Sequence, residues 1–384
     1  MERTLIKNVG TLVTGDIGSP LAEADAILIE GSHISYVGMT GNLESSEYER
    51  VIDAAGMTLL PGLIDSHIHP AIGEYTPMQN MIGYIGSYLH GGTTTMISNG
   101  EVLLPGQPRG VDGLKALAIF AAQSYQNYRP SGVKVRGGTL LLREGFSEED
   151  FAELSRLGVR RGKLLYEIKP EIGARYASWA RNHDLKLLMH CGGTSVPGGL
   201  STTPEQVLKI RPHVLAHLNG GPTAMPPEAI NTLIDETRGM IELVLCGNPR
   251  AAIAIIAKVL REDQLERVIL GTDTPTGSGI IPLGMWQLIN LLTGFSDLKP
   301  EVAICLATGN TARFYGLGSG FIREGSAADL ILADAPAGSA APDTLGAIAA
   351  GDIPAIALVM IDGEIVVEGS RNSSPPKRRL KIER

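Results

Sequence analysis

Apolar and polar positions alternate in short bursts over the first sixty residues. Ala26-Ile27-Leu28-Ile29-Glu30-Gly31 is an apolar run closed by a turn glycine, and Ile34-Ser35-Tyr36-Val37-Gly38 alternates apolar with small or polar residues. Both patterns predict strands. The far end has the same character. Ala328-Asp329-Leu330-Ile331-Leu332 reads as a strand, and the stretch from Ala357 to Val367 reads as a hairpin turning at Asp362-Gly363. Two strand-rich ends around a long middle predict one small β domain built from residues 1–60 and 316–375.

Residues 61–315 follow another rhythm. Short apolar strand candidates recur at Thr94–Ile97, Val133–Val135, Leu185–Met189, Val214–Ala216, Ile241–Leu245 and Val268–Leu270. Between them lie segments with helical periodicity, such as Glu148–Leu157 and Ile172–Asn182. Repeated βα units over about 250 residues have the size of a (β/α)8 barrel. The expected fold class is therefore α/β: a TIM-like barrel over 61–315 with a small β-sandwich domain from both termini. In such barrels the chemistry lies at the carboxyl ends of the strands.

Metal-ligand residue types fall at those ends. Leu63-Ile64 runs into His67 and His69, which at spacing i, i+2 share one side of a strand and can address one ion. Pro61-Gly62 upstream lets the chain turn into that strand. His190 follows Leu187-Leu188-Met189, His217 follows Val214-Leu215-Ala216, and Asp273 follows Val268-Ile269-Leu270-Gly271-Thr272. A lone histidine is commonly a packed residue bonded to a carbonyl; these residues are in phase with the strands, which packing does not explain. Neutral imidazoles with a carboxylate suit Zn²⁺ or another first-row divalent ion. His33, His90, His183 and His213 fall elsewhere and are assigned structural roles.

Composition narrows the class. Hydrophobic residues make up 43% of the 384-residue chain, enough for a large core, while 5% aromatics and 47 glycines favour an α/β enzyme rich in turns over an aromatic-built sandwich. The net charge of −8 argues against a nucleic-acid surface, which needs a concentrated basic patch. Pro375-Pro376-Lys377-Arg378-Arg379-Leu380-Lys381 begins a basic run, and 376–384 is expected to be a solvated tail. Cys191, Cys246 and Cys305 form no CxxC pair, so a reducing cytosol is expected. The first residues lack an apolar signal core, and no apolar run reaches the ~18 residues of a membrane span. A cytoplasmic protein with a small-molecule substrate, and no nucleic-acid or membrane partner, is the expectation.

At its ligand-type residues the chain resembles the amidohydrolase superfamily, whose signature is HxH after strand 1, a bridging acid after strand 4, histidines after strands 5 and 6, and an aspartate after strand 8. Met189-His190-Cys191-Gly192-Gly193-Thr194-Ser195-Val196-Pro197-Gly198, His217-Leu218-Asn219-Gly220-Gly221-Pro222-Thr223-Ala224, Cys246-Gly247-Asn248-Pro249 and Ile281-Pro282-Leu283-Gly284 resemble a smaller group within it, the enamidases. The resemblance covers nearly the whole chain. It implies a binuclear centre of Zn²⁺ and/or Fe²⁺ held by His67, His69, His190, His217 and Asp273, and a homodimer or homotetramer.

One position departs from the group. Enamidases place a glutamate after glycine as the bridging ligand; here the pair is Gly162-Lys163. Lysine before an apolar run resembles the hydantoinases and dihydroorotases, where CO2 converts it to a bridging carbamate. Lys163 is thus the expected bridge, with Glu167, a bridgeless pair or a mononuclear site as alternatives.

The resemblance implies a metal-dependent hydrolase that opens a cyclic amide of a small carboxylated heterocycle, the group's substrate being 6-oxo-1,4,5,6-tetrahydronicotinate. Metal-bound hydroxide would attack the carbonyl, with Asp273 as general acid and base. Thr194, Ser195, Asn219 and Arg250 are the candidate substrate-binding residues, and the loop at 99–110 is a candidate lid. A deaminase, a dihydroorotase- or hydantoinase-like enzyme or a lactone hydrolase would use the same metal site. A noncatalytic scaffold would be marked by lost ligands, and the histidines and Asp273 are all present.

Overall fold

The computed structural model describes residues 2–43, 47–70, 83–99, 108–193, 200–221, 223–275 and 279–383. Thr194, Ser195 and residues 100–107 of the candidate lid lie outside the described residues.

Both chain ends build two sheets. One is five-stranded, in the order Lys381–Glu383, Arg50–Asp53, Arg3–Lys7, Ala26–Glu30, His33–Gly38. The other is six-stranded, in the order Glu364–Glu368, Ala355–Ile361, Leu330–Asp334, Thr58–Pro61, Thr11–Val13, Leu21–Ala22. Ile6, Ile27 and Ile52 from the first sheet pack with Leu59, Leu330 and Leu358 from the second in one buried cluster. The alternation seen in the sequence supplies this face. Asp362 and Gly363 both have positive φ (51° and 80°), the geometry a two-residue hairpin turn requires.

The basic run is not a free tail. Lys381–Glu383 pairs antiparallel with Arg50–Asp53, placing Ile382 opposite Ile52. Leu380 and Ile382 pack against the small core. Arg378 N donates to Asp334 Oδ2 at 2.8 Å, and Lys377 Nζ donates to the Ala341 carbonyl at 2.7 Å. Charge alone suggested solvation; the apolar residues interleaved with the cations, and the buried Asp334, decide otherwise.

The middle of the chain forms parallel strands joined by helices. Leu63–Ile68, Thr93–Ser98 and Lys134–Arg136 pair in that order. Thr139–Leu142, Arg161–Leu164, Lys186–His190, Val214–Ala216, Met240–Val244 and Val268–Gly271 pair in sequence order. Gly137 and Gly138 separate Lys134–Arg136 from Thr139–Leu142, so one segment serves both sheets. The last parallel strand lies beside the first: Asp273 N donates to the His67 carbonyl at 2.7 Å, and Ile68 bridges Thr274 in parallel. Gly271 permits that approach, because a Cβ there would meet His67 N at 2.7 Å.

Local sequence starts the outer helices. Pro170, Pro204, Pro227, Pro249 and Pro300 each stand in the first turn, where proline's fixed φ suits the helix and its missing N–H is not needed. Ser147 and Asp150 form a capping box on the helix Glu148–Arg156. At the amino ends of the strands, Leu188, Val214, Ala216 and Ile269 pack with Phe314 and Tyr315, closing the interior on that side. The strand interiors turn polar at the opposite end.

Candidate metal centre

The strand Leu63–Ile68 is buried throughout, and His67 and His69 follow its alternation onto one side, with ring centroids 5.2 Å apart. Asp273 projects from beyond Val268–Gly271 with a left-handed backbone (φ 57°). Its Oδ1 lies 2.8 Å from His69 Nε2 and 3.5 Å from His67 Nε2. One potential ligand atom from each of these three residues falls within 4.8 Å of the others.

Lys163 joins them from the interior of Arg161–Leu164. It is buried, with Nζ 3.1 Å from His67 Nε2. Burial lowers its pKa, favouring the neutral amine. His190 ends its own strand, and its ring lies 4.5 Å from that of His217, which is 5.2 Å from that of His67. His67, His69, Lys163, His190, His217 and Asp273 therefore converge at the carboxyl ends of five strands.

The donor set fits a divalent ion. Burial is the main cause lowering the pKa of each of the four histidines, to about 4 for His190 and well below the usual range for His67 and His217. They are neutral at pH 7, as ligation requires. His217 Nδ1 lies 3.1 Å from the Cys191 carbonyl and must donate to it, leaving Nε2 with the lone pair. His69 Nδ1 is buried with no partner among the described residues. Burial pushes the Asp273 carboxyl up, and the hydrogen bond between its Oδ1 and His69 Nε2 opposes this, holding its pKa below the usual carboxylate range.

Sequence reasoning passed over Glu242, which the structure puts behind the cluster. Its Oε2 lies 2.6 Å from His67 Nδ1, its Oε1 accepts from Ser66 Oγ at 2.9 Å, and His217 N donates to Oε2 at 3.3 Å. Burial raises the pKa of its carboxyl, and the hydrogen bond from the Ser66 hydroxyl opposes that rise. Its partners donate to it, the environment of a carboxylate, which orients His67 with Nε2 as the ligand nitrogen. The signal was an acid inside the apolar run Ile241-Glu242-Leu243.

Other candidates stand apart. Glu167 is exposed and pairs with Arg143 at 3.2 Å, away from the cluster. Arg250 is exposed in the first turn of Pro249–Arg261. Asn219 is buried, but its amide is committed to the backbone: Nδ2 donates to the Val244 carbonyl at 2.8 Å, and Oδ1 accepts from Val244 N at 2.9 Å. It ties two strand-end loops together and is not presented to a substrate. His213 accepts from Leu187 N at 3.0 Å at the far end of the strands, as a structural histidine would.

Residues 201–366 match the model of the amidohydrolase family. The chain is 47% identical over 385 residues to enamidase of Eubacterium barkeri, covering 100% of both chains. A crystal structure of enamidase, described as a member of the amidohydrolase superfamily, superposes with a TM-score of 0.95 at 47% identity over 100% of both chains. Adenine deaminase of Ruegeria sp. (strain TM1040) is 25% identical over 322 residues, 81% of this chain and 51% of that protein.

Proposed function

The chain belongs to the amidohydrolase family, and we propose that within it this protein is a metal-dependent hydrolase opening a cyclic amide, as an enamidase does. The observation that carries the reading is the contact of Asp273 Oδ1 with both His67 and His69 beside Lys163, in a chain alike end to end to enamidase. The run of parallel strands is read as a (β/α)8 barrel, and the two terminal sheets as a β-sandwich. The proposed substrate is 6-oxo-1,4,5,6-tetrahydronicotinate, or a close relative carrying a carboxylate on a six-membered cyclic enamide.

His67, His69, His190, His217 and Asp273 would hold one or two divalent ions, Zn²⁺ or Fe²⁺. When bound, such ions polarise a carbonyl and make water acidic enough to be deprotonated near neutral pH. The protein residues do the rest. Asp273, held ionised, accepts the proton of the attacking water and passes it to the ring nitrogen, which leaves only once protonated. Glu242 fixes the tautomer of His67 throughout. Burial of the cluster excludes bulk water and strengthens each of these contacts.

Lys163 is the proposed bridging ligand. Its buried amine is biased toward the neutral form that adds to CO2, giving a carbamate anion and a proton. Glu167, the rival bridge, faces solvent and Arg143. Such a carbamate would supply at Lys163 the two oxygens and negative charge of a carboxylate. Arg250 and the Thr194-Ser195 stretch remain the proposed source of contacts to the substrate carboxylate. A cytoplasmic homodimer or homotetramer is the proposed assembly.

The test is incubation of metal-loaded protein with 6-oxo-1,4,5,6-tetrahydronicotinate, following loss of enamide absorbance and release of ammonia. Turnover supports the reading. Two bound metals with no ring opening would transfer it to a deaminase or lactone hydrolase built on the same centre.

A further inference from the structure

Asp273 reaches His67 and His69 from a backbone conformation that non-glycine residues rarely adopt, with φ at 57°. Aspartate enters this region more readily than most residues, and the bonds around it fix where its carboxylate is aimed. Part of the constraint is the bond from Asp273 N to the His67 carbonyl. The rest lies in the next residue. Thr274 is fully buried and sits in a chain of hydroxyls whose donor direction can be worked out.

Asp65 accepts three bonds: from His67 N at 3.1 Å, Thr272 N at 2.9 Å and Thr272 Oγ1 at 2.6 Å. When the Asp65 carboxyl, pushed up by burial to about 7, is ionised, Thr272 spends its hydroxyl proton on it, so across the 2.8 Å contact with Thr274 Oγ1 it can only accept. Thr274 spends its own proton there, and must accept from the phenol of Tyr88, with which it makes a short hydrogen bond. Tyr88 oxygen in turn accepts from Ile281 N at 3.1 Å. Tyr88 is fully buried on the helix Tyr84–His90, and burial holds its phenol protonated, with a pKa pushed up to about 12. From the same helix, Tyr84 donates to the Thr274 carbonyl at 3.3 Å. The bonds therefore run one way, from Ile281 through Tyr88, Thr274 and Thr272 to Asp65. Tyr88 grips Thr274 and Ile281, which flank residues 276–278.

We propose that Tyr88 is a positioning residue for Asp273: through Thr274 it holds the aspartate in the left-handed conformation that aims its carboxylate at His67 and His69. Tyr88 touches neither. It acts through the hydroxyl chain, beside the bond from Tyr84 on the same helix to the Thr274 carbonyl. The inference rests on the proposed role of Asp273 as ligand and acid/base.

The test compares Tyr88→Phe, Thr274→Val and Thr274→Ser with the wild type. Metal dissociation constants are measured with Zn²⁺ and a competing chromophoric chelator, alongside kcat, KM and the melting temperature. Tyr88→Phe and Thr274→Val should each weaken Zn²⁺ binding and lower kcat about tenfold, within the range typical of lost ligand-orienting contacts. KM should change less than threefold, and Thr274→Ser should stay near the wild type. Both changes break one chain, so the double variant should lose no more than either single one. A folded Tyr88→Phe that keeps Zn²⁺ affinity and kcat within twofold overturns the proposal, as does a fall in melting temperature alone. Should Tyr88→Phe not fold, Thr274→Val decides by the same criteria. A wild type that binds Zn²⁺ but opens no cyclic enamide would defeat the proposed function while the Zn²⁺ measurements still judge Tyr88.

Discussion

Glu242 Oε2 and His67 Nδ1 lie 2.6 Å apart with no exposed surface on either side chain. The contact makes the Nδ1 nitrogen the donor and turns the Nε2 lone pair toward Asp273 and Lys163. Replacing Glu242 with Gln keeps the shape but sets an amide against partners that are themselves donors. Glu242→Gln should weaken metal binding roughly 10–100-fold, as loss of such orienting partners does. Competition with a chelator measures it; unchanged affinity would mean His67 needs no such support.

Lys163→Ala removes the proposed carbamate and nothing else that holds Asp273. The variant is expected to lose one metal equivalent and roughly 100-fold in kcat, the latter about 2.7 kcal/mol of barrier. Metal analysis by mass-spectrometric elemental counting checks the first, steady-state kinetics the second. Two retained metals with full activity would remove Lys163 from the centre.

The two parts of the molecule are joined by Lys134, whose Nζ lies 2.8 Å from Asp329 Oδ1 and 2.6 Å from Asp362 Oδ1. Burial pushes the Asp362 carboxyl up, but Lys134 and then Arg129 outweigh it, so the folded-state pKa is depressed. A depressed pKa adds stability above the unfolded-state value of about 3.9, and this is lost as pH falls through the folded value. Asp362→Asn should therefore lower stability at pH 7 by about 1 kcal/mol, discounted because the group is partly exposed. Asparagine tolerates the positive φ there, so the turn survives. Urea unfolding from pH 7 to pH 2 should show the gap narrowing below pH ~4; a constant gap would assign it to something other than charge.

Much of the centre was legible because strand phase exposes it. His67 and His69 stand two apart, and His190, His217 and Asp273 each follow an apolar run, so burial and direction follow from alternation. Glu242 was not legible: its role depends on Ser66 and His67, 176 and 175 residues away in sequence. The hydroxyl chain through Tyr88 is of the same kind, joining segments 186 residues apart. The strand Arg161–Leu164 was not predicted as a strand, because Arg161 and Lys163 break its apolar pattern although both are buried. The split at Gly137-Gly138 left Thr139–Leu142 unpredicted beside Lys134–Arg136. Asn219 carried the right motif, yet its amide goes to Val244, a partner no local pattern reveals.

The most direct test of the account is the rate of ring opening of 6-oxo-1,4,5,6-tetrahydronicotinate by Asp273→Asn and by the wild type, with bound metal counted in both. The account predicts rapid opening and ammonia release by the wild type. It predicts a loss in the variant of about 10³-fold or more beyond any loss of metal, since general acid–base assistance alone supplies about 10²–10⁴-fold. A variant that opens the ring at the wild-type rate with its metal in place would contradict the role given to Asp273, and with it the mechanism proposed for this centre.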